Sequence, residues 1–400
     1  MKENHLSIQT KSIFFDPTAR RVFPTLPLRP SDEEIRLMLA DNNEACPLSK
    51  VIVSEENRGN MRILKRFAFN AFTDPYHSCK GMNFAIYSGP GQGKTYVVKQ
   101  WAKTIGIPML FVQSDALDST WMLFEQLIDL FLDADTPLEP QSSDYHFAIP
   151  PCIIFFDEAH ALKSELRTGG LLNAMEANDG WLRTKPPGKN QSQYEIDCSE
   201  ICWIAASTDP GIIYKKSQAF YDRFRVHIEW SPAGREEIAQ IVKLDSDRKV
   251  KDEPHKYVPL PDEACEVVAS YETVPRKAIA FADQMILERR MMDGSWEEAA
   301  AVVAEDNGID PHGLPYKIIT ILESLAKRPV SDRNILNVVG CRREQFDSQY
   351  APLLMADVEG RGPLAQITTK GWAITRAGCS ELDKRSIKHR GEHQLAEKFV

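Results

Sequence analysis

The chain has no apolar run of the ~18–20 residues that a bilayer span requires. Its start, Met1-Lys2-Glu3-Asn4-His5, lacks the apolar stretch of a secretory leader. A cytoplasmic protein with no membrane partner is the expectation. Cysteine occurs eight times but never as C-x-x-C and never in a His-rich neighbourhood, so neither a zinc site nor a disulfide framework is supported. The nearest pair, Cys198 and Cys202, flanks a strand-like apolar run and reads as core thiols. Internal repeats and low-complexity tracts are absent as well. So is an excess of positive charge: the net charge is −9, which argues against a protein that binds nucleic acid over its whole surface.

That charge is unevenly spread. Residues 314–400 carry 14 Lys and Arg against 10 Asp and Glu, a balance of +4, which leaves −13 on the rest. A mildly basic C-terminal segment on an acidic body fits a local nucleic-acid contact. At 400 residues, 43% hydrophobic and 26% charged, the chain suits a globular protein of two or three domains. Residues 1–45, with Pro17, Pro24, Pro27 and Pro30, read as an extension that lies on a core or stays mobile. Over 46–230 the short apolar runs Phe84–Tyr87, Met109–Val112, Ile153–Phe156 and Ile201–Ala205 alternate with helical patterns, which predicts a parallel α/β sheet. Amphipathic helices such as Glu236–Leu244 and Pro275–Arg290 dominate 231–313. A compact helical and strand-like pattern fills 314–379, and 380–400 is a polar tail.

The strongest chemical signal is Ser88-Gly89-Pro90-Gly91-Gln92-Gly93-Lys94-Thr95, placed after one predicted strand and before a helix. A Gly-rich turn that opens a helix aims backbone N–H groups and the positive helix end at an anion. Lys94 would reach the β- and γ-phosphates of ATP, and the Thr95 hydroxyl would ligate Mg2+. Ser88 stands where the usual pattern has glycine, and is small enough to keep the turn. The run Cys152–Phe156 ends in Asp157-Glu158. In a parallel sheet that acid pair shares an edge with the phosphate loop, so Asp157 is a candidate for the metal and Glu158 for the water that attacks phosphorus. Asp157-Glu158-Ala159-His160 also spells the DEAH helicase signature, but the arginine-rich motif of a second motor domain is missing.

Three further pieces follow in order: Trp203-Ile204-Ala205-Ala206-Ser207-Thr208, Phe220-Tyr221-Asp222-Arg223-Phe224, and Val274-Pro275-Arg276. With Asn173-Ala174-Met175-Glu176, Gln349–Leu354 and Thr369–Ala377, they make the chain resemble the AAA+ ATPases and, within them, the RuvB family of Holliday-junction branch-migration motors. The resemblance covers roughly residues 48–378. It implies a P-loop AAA+ core, a small helical lid and a C-terminal winged helix. It also implies that Thr208 is sensor 1, Arg223 an arginine finger acting across a subunit boundary, and Arg276 sensor 2. A homo-oligomer follows, a hexamer-like ring or a helical filament.

The C-terminal segment supports this from its own pattern. Ile318, Ile319, Leu322 and Leu325 fall on one helical face; Ser331 or Asp332 can cap a second helix that Gly340 ends. Residues 342–354 form a third helix, and Gln366–Thr369 with Ala373–Arg376 a hairpin wing. Lys370 and Arg376 are the candidate DNA phosphate contacts. Trp372 stands where the family has an arginine, and either wedges at a base step or packs on the domain. A second departure is the hairpin before sensor 1, Leu182–Asn190, whose tip carries Arg183, Lys185 and Lys189. In RuvB the equivalent tip is apolar and docks RuvA; burying these charges would cost several kcal/mol. DNA, or a protein partner other than RuvA, suits the tip better. The region Gln113–Pro150, with Trp121, Phe124 and Phe131, is also longer than in RuvB. An ATP-driven motor on duplex or branched DNA is the leading expectation. The alternatives are an ATP-dependent DNA-binding switch that recruits a partner, as a mobile-element target selector or an initiator-like loader does, and a defence or signalling ATPase whose winged helix binds protein.

Overall fold

The computed structural model describes residues 30–74, 79–131, 146–149, 151–176, 180–188, 193–208, 210–355 and 362–387. They form two compact units. One comprises residues up to 241 together with 273–277; the other comprises 242–272 and 278 onward.

The first unit is built on five parallel strands: β1 (Phe84–Tyr87), β2 (Met109–Gln113), β4 (Cys152–Asp157), β7 (Ile201–Ser207) and β8 (Val226–Glu229). Their spatial order is β2-β4-β7-β1-β8. Side chains alternate across a strand, and here both faces are covered. Ala85, Tyr87, Ile154, Phe156, Trp203 and Ala205 enter one core, while Phe84, Ile86, Ile153, Phe155, Ile204 and Ala206 enter the other. This explains the uninterrupted apolar runs of the central strands, since two buried faces leave no polar position. The helices Arg58–Thr73 and Lys94–Ile105 line the second core, where the buried Trp101 donates its indole N–H to the Leu64 carbonyl at 2.9 Å.

The four sequence-predicted strands are present, each within two residues of its expected end, and β8 adds a fifth. A small sheet is also present, of which the sequence reading had only the hairpin at Leu182–Asn190: β3 (His146–Ala148), β5 (Trp181–Thr184) and β6 (Tyr194–Asp197), in the order β3-β6-β5, with β5 and β6 antiparallel. Residues 30–45, expected within an extension, carry the helix Asp32–Met38, closed by a Ser31–Glu34 capping box and anchored by the fully buried Ile35. The remainder of that extension, the 388–400 part of the tail, Lys189 at the hairpin tip and most of the 113–150 insertion beyond Phe131 lie outside the described residues.

In the second unit, the helices Asp262–Tyr271 and Trp296–Asp306 and most of Pro275–Met291 precede the helices Tyr316–Leu325 and Asp332–Val339. A segmented third helix spans Arg343–Met355, with a π-turn at Phe346–Tyr350. The antiparallel hairpin β9 (Ala365–Thr368) and β10 (Gly371–Ile374) and the helix Arg376–Lys384 follow. The sequence pattern predicted this order of three helices and a hairpin. Trp372 exchanges both backbone hydrogen bonds with Val330, at 2.9 Å each, pinning the hairpin to the turn before the second helix. Gly371 makes that approach possible: at φ 106°, a Cβ there would lie 2.5 Å from the Val330 carbonyl oxygen.

Candidate active site at the carboxyl edge of the sheet

Register sets the level of the site. Tyr87, the last residue of β1, pairs with Ser207 of β7, and Phe156 of β4 pairs with Ala205. One residue beyond each of these positions, Ser88, Thr208 and Asp157 emerge at the same carboxyl edge, where ligands of open parallel sheets bind. The Ser88 N–H donates to the Ser207 carbonyl at 3.3 Å, so the phosphate-loop sequence starts from a fixed point.

Residues 88–93 turn without regular structure, and the helix Lys94–Ile105 begins at Lys94. Gly91 is required at its position. Its φ is +77°, and a Cβ there would lie 2.8 Å from Val274 Cγ1 and 3.3 Å from Arg276 Cβ. The Arg276 N–H also donates to the Gly91 carbonyl at 3.4 Å. Arg276 is thus brought onto the loop by its own backbone, although 185 positions separate it from Gly91. Lys94 is buried, and its ammonium donates to the carbonyls of Ser88 at 2.8 Å and Gly89 at 3.2 Å. Burial pulls its pKa below the ordinary lysine range, against the opposing pull of Glu158 and Asp157. The two acids are close enough to act on this cation. Thr95 and Gln92 are half-buried on the same turn, and Pro90 is exposed.

Glu158 has an unusual backbone for a side-chain-bearing residue, φ 49° and ψ 50°, in the left-handed region. Its Oε2 is a buried atom without a hydrogen-bond partner. The Nδ1 of His160 lies 3.3 Å from this oxygen and 3.0 Å from the hydroxyl of Ser207. In the sequence, His160 entered only through the helicase signature, and Ser207 only as part of the run Trp203–Thr208. Neither local pattern links the two; the pairing of β4 with β7 brings them together.

Arg223 lies just after the helix Gln218–Tyr221. Its Nε donates to the Leu172 carbonyl at 3.1 Å, and its Nη2 pairs with Glu176 at 2.6 Å. It is held at Asn173–Glu176, on the segment that carried part of the family resemblance.

In the second unit, Lys370 at the hairpin turn and Arg376 at the start of the last helix are exposed. Trp372 is not. It is 3% exposed, its indole N–H donates to Asp332 Oδ1 at 2.8 Å, and Phe346 packs edge-on to its ring at a centroid distance of 5.7 Å. Of the two sequence-based readings, wedge or packing residue, this geometry is the second, and it leaves no indole face open for a base step. At the other hairpin, Arg183 Nε is engaged by Glu195 at 2.9 Å, while Lys185 is exposed. No helix among the described residues is long and apolar enough to cross a membrane.

Residues 84–232 match the AAA family, the ATPases associated with various cellular activities. No curated protein sequence matches the chain. Among solved structures, the fold is similar to that of the RuvB Holliday junction branch migration motor of Thermotoga maritima, at 18% identity and a TM-score of 0.56, over 83% of this chain and 95% of that one. Two single-residue variants of the same protein superpose equally well, with TM-scores of 0.57 and 0.56, each at 18% identity over 83% of this chain and 95% or 96% of theirs. Residues 84–232 are thus an AAA domain, set in a chain whose fold is similar to that of RuvB.

Proposed function

We propose that this protein is an ATP-hydrolysing motor that assembles with copies of itself and acts on duplex or branched DNA. The observation that carries the reading is the convergence on one sheet edge of a buried lysine on a Gly-rich turn, an acid pair, a strand-end hydroxyl and an arginine fixed to the turn. Lys94 exchanges its loop carbonyls for the β- and γ-phosphates of ATP, and the backbone of Ser88, Gly89, Pro90, Gly91, Gln92 and Gly93 cradles them. Thr208 and Arg276 sense the γ-phosphate. Glu158 orients the attacking water, a role that suits a carboxylate oxygen with unused acceptor capacity.

The donor set also suits magnesium. Among the described residues no three His, Cys, Asp or Glu side chains gather to cage a metal, and Mg2+ at such sites takes one or two protein oxygens plus substrate phosphates. Thr95 and Asp157 would hold it. When bound, the ion neutralises charge building on the phosphate oxygens.

Arg223 serves a neighbouring subunit's nucleotide, which makes activity a property of the assembly. Lys370 and Arg376 carry DNA phosphate contacts on the basic C-terminal segment, and the Arg183 and Lys185 hairpin adds a second contact; Trp372 belongs to the fold instead.

The test uses purified full-length protein and a labelled four-way DNA junction. Wild-type protein with ATP resolves the junction by migration, while Glu158→Gln binds ATP and DNA but neither hydrolyses nor moves it. A protein that binds the junction and hydrolyses ATP without moving it would be the DNA-binding switch. Full ATP turnover by Glu158→Gln would overturn the site itself.

A further inference from the structure

His160 stands between the catalytic edge of β4 and the sensor edge of β7. Its Nδ1 is 3.0 Å from Ser207 Oγ and 3.3 Å from Glu158 Oε2, and only the first contact has hydrogen-bond alignment. Ser207 is fully buried and is followed at once by Thr208. The short turn Ala159–Ala161 that carries the imidazole is itself tethered, because the Lys216 ammonium donates to the His160 carbonyl at 2.8 Å. Glu158, in its left-handed backbone, has little freedom to reorient through the main chain. Its carboxylate direction therefore depends on the side chains around it.

We infer that His160 is a positioning residue that couples the end of β7 to the carboxylate of Glu158. With the proton on Nδ1, one N–H lies between two oxygen acceptors. Donation to Ser207 leaves Glu158 Oε2 without a donor; a small ring rotation transfers the same N–H to the carboxylate and fixes its direction. Movement of the Ser207-Thr208 strand end on binding a γ-phosphate would favour that second arrangement. The inference rests on the proposed role of Glu158, and the experiment separates the two.

ATP turnover is measured for the full chain at saturating ATP, alongside the KM for ATP. His160→Ala should lower kcat by roughly 10- to 100-fold, the range in which outer-shell partners act, with KM changed much less, as expected when an interaction matters after substrate is bound. His160→Asn, whose amide N–H falls near the Nδ1 position, should recover most of the activity, and His160→Gln, whose amide falls near Nε2, should not. Ser207→Ala combined with His160→Ala should be no worse than His160→Ala alone, because both act on one contact. Wild-type kcat in His160→Ala, or equal activity in the Asn and Gln variants, would overturn the inference. If His160→Ala does not fold, the Asn and Gln comparison decides. Glu158→Gln in the same series identifies which reading has failed. If it turns over ATP, the role of Glu158 is wrong; if it is inactive while His160→Ala is unimpaired, the positioning role alone is wrong.

Discussion

At the scale of single residues, the site depends on how closely its parts approach. Gly91 shows this most clearly, because the backbone it frees is the surface on which Val274 and Arg276 rest. An added methyl must displace that segment or bend the loop, and it also forces a side chain into a left-handed conformation that costs about 1–2 kcal/mol. Gly91→Ala should therefore weaken ATP binding by roughly tenfold or more, since 1.4 kcal/mol is a factor of ten. The double variant Gly91→Ala/Val274→Ala, which removes the nearest obstructing methyl, should recover part of the loss by equilibrium nucleotide titration. Equal affinity in the single and double variants would show that the contact with Val274 is unimportant. Lys94, Asp157 and Glu158 were legible in the sequence because their chemistry is encoded within a few positions of a strand end. His160 and Ser207 were not, because what joins them is strand pairing between segments 47 positions apart.

At the scale of elements, the C-terminal helices and hairpin are held together by two side-chain systems with different electrostatics. The first is the indole of Trp372 against Phe346 and Asp332, with Arg343 on the other oxygen of Asp332 at 2.6 Å. The Arg343 hydrogen bond, and then that of Trp372, hold the Asp332 carboxyl below its ordinary range despite partial burial. Trp372→Ala should lower stability by about 3–5 kcal/mol, the range for buried tryptophan truncations. DNA affinity per folded molecule should be unchanged, which a binding titration below the variant's melting temperature can check.

The second system is the buried group of Arg385, Asp310 and Glu381. Arg385 Nε donates to Asp310 at 2.5 Å and its Nη1 to Glu381 at 2.8 Å, with all three side chains less than a tenth exposed. Asp310 also accepts the N–H groups of His312 and Leu314, so one carboxylate orders the connection and receives the last helix. Removing one partner of a buried ion pair costs about 3–5 kcal/mol, and Arg385→Ala should show that loss in chemical denaturation. Burial would raise the Glu381 pKa, but Lys384 and Arg385 together hold it below the ordinary glutamate value. A depressed carboxyl pKa adds stability that is complete above the unfolded value and lost as pH falls through the folded one. The second unit should therefore weaken on acidification below the ordinary glutamate range, and much less so in Glu381→Gln.

Element-scale legibility divides along the same line. The order of three helices and a hairpin could be read from local periodicity: Ile318, Ile319, Leu322 and Leu325 are all buried, and Gly340 ends its helix in a left-handed turn. The expected wing strands were displaced by one or two positions, because the turn centres on Thr369 and Lys370. Strand β8 was missed: Val226–Glu229 is only four residues long and alternates with polar groups, where the central strands are uniformly apolar. Burial of Trp372 was undecided in sequence because its partners, Asp332 and Phe346, come from two other helical segments.

For the whole molecule, the proposed DNA contacts must contend with a charge balance of −13 on the body, against +4 on residues 314–400. The placement of Arg223 bears on assembly. Its guanidinium rests on Leu172 and Glu176, and a role in hydrolysis at another subunit's nucleotide requires that a neighbour present its site there. The most direct measurement is the ATPase rate of a mixture of Lys94→Ala and Arg223→Ala proteins, each close to inactive alone. In the proposed roles, Lys94→Ala would fail to hold nucleotide but still offer Arg223, and Arg223→Ala would hold nucleotide but offer no arginine. The account predicts that the mixture recovers turnover, reaching its maximum near equal proportions. A mixture that stays inactive while cross-linking shows mixed oligomers would contradict it.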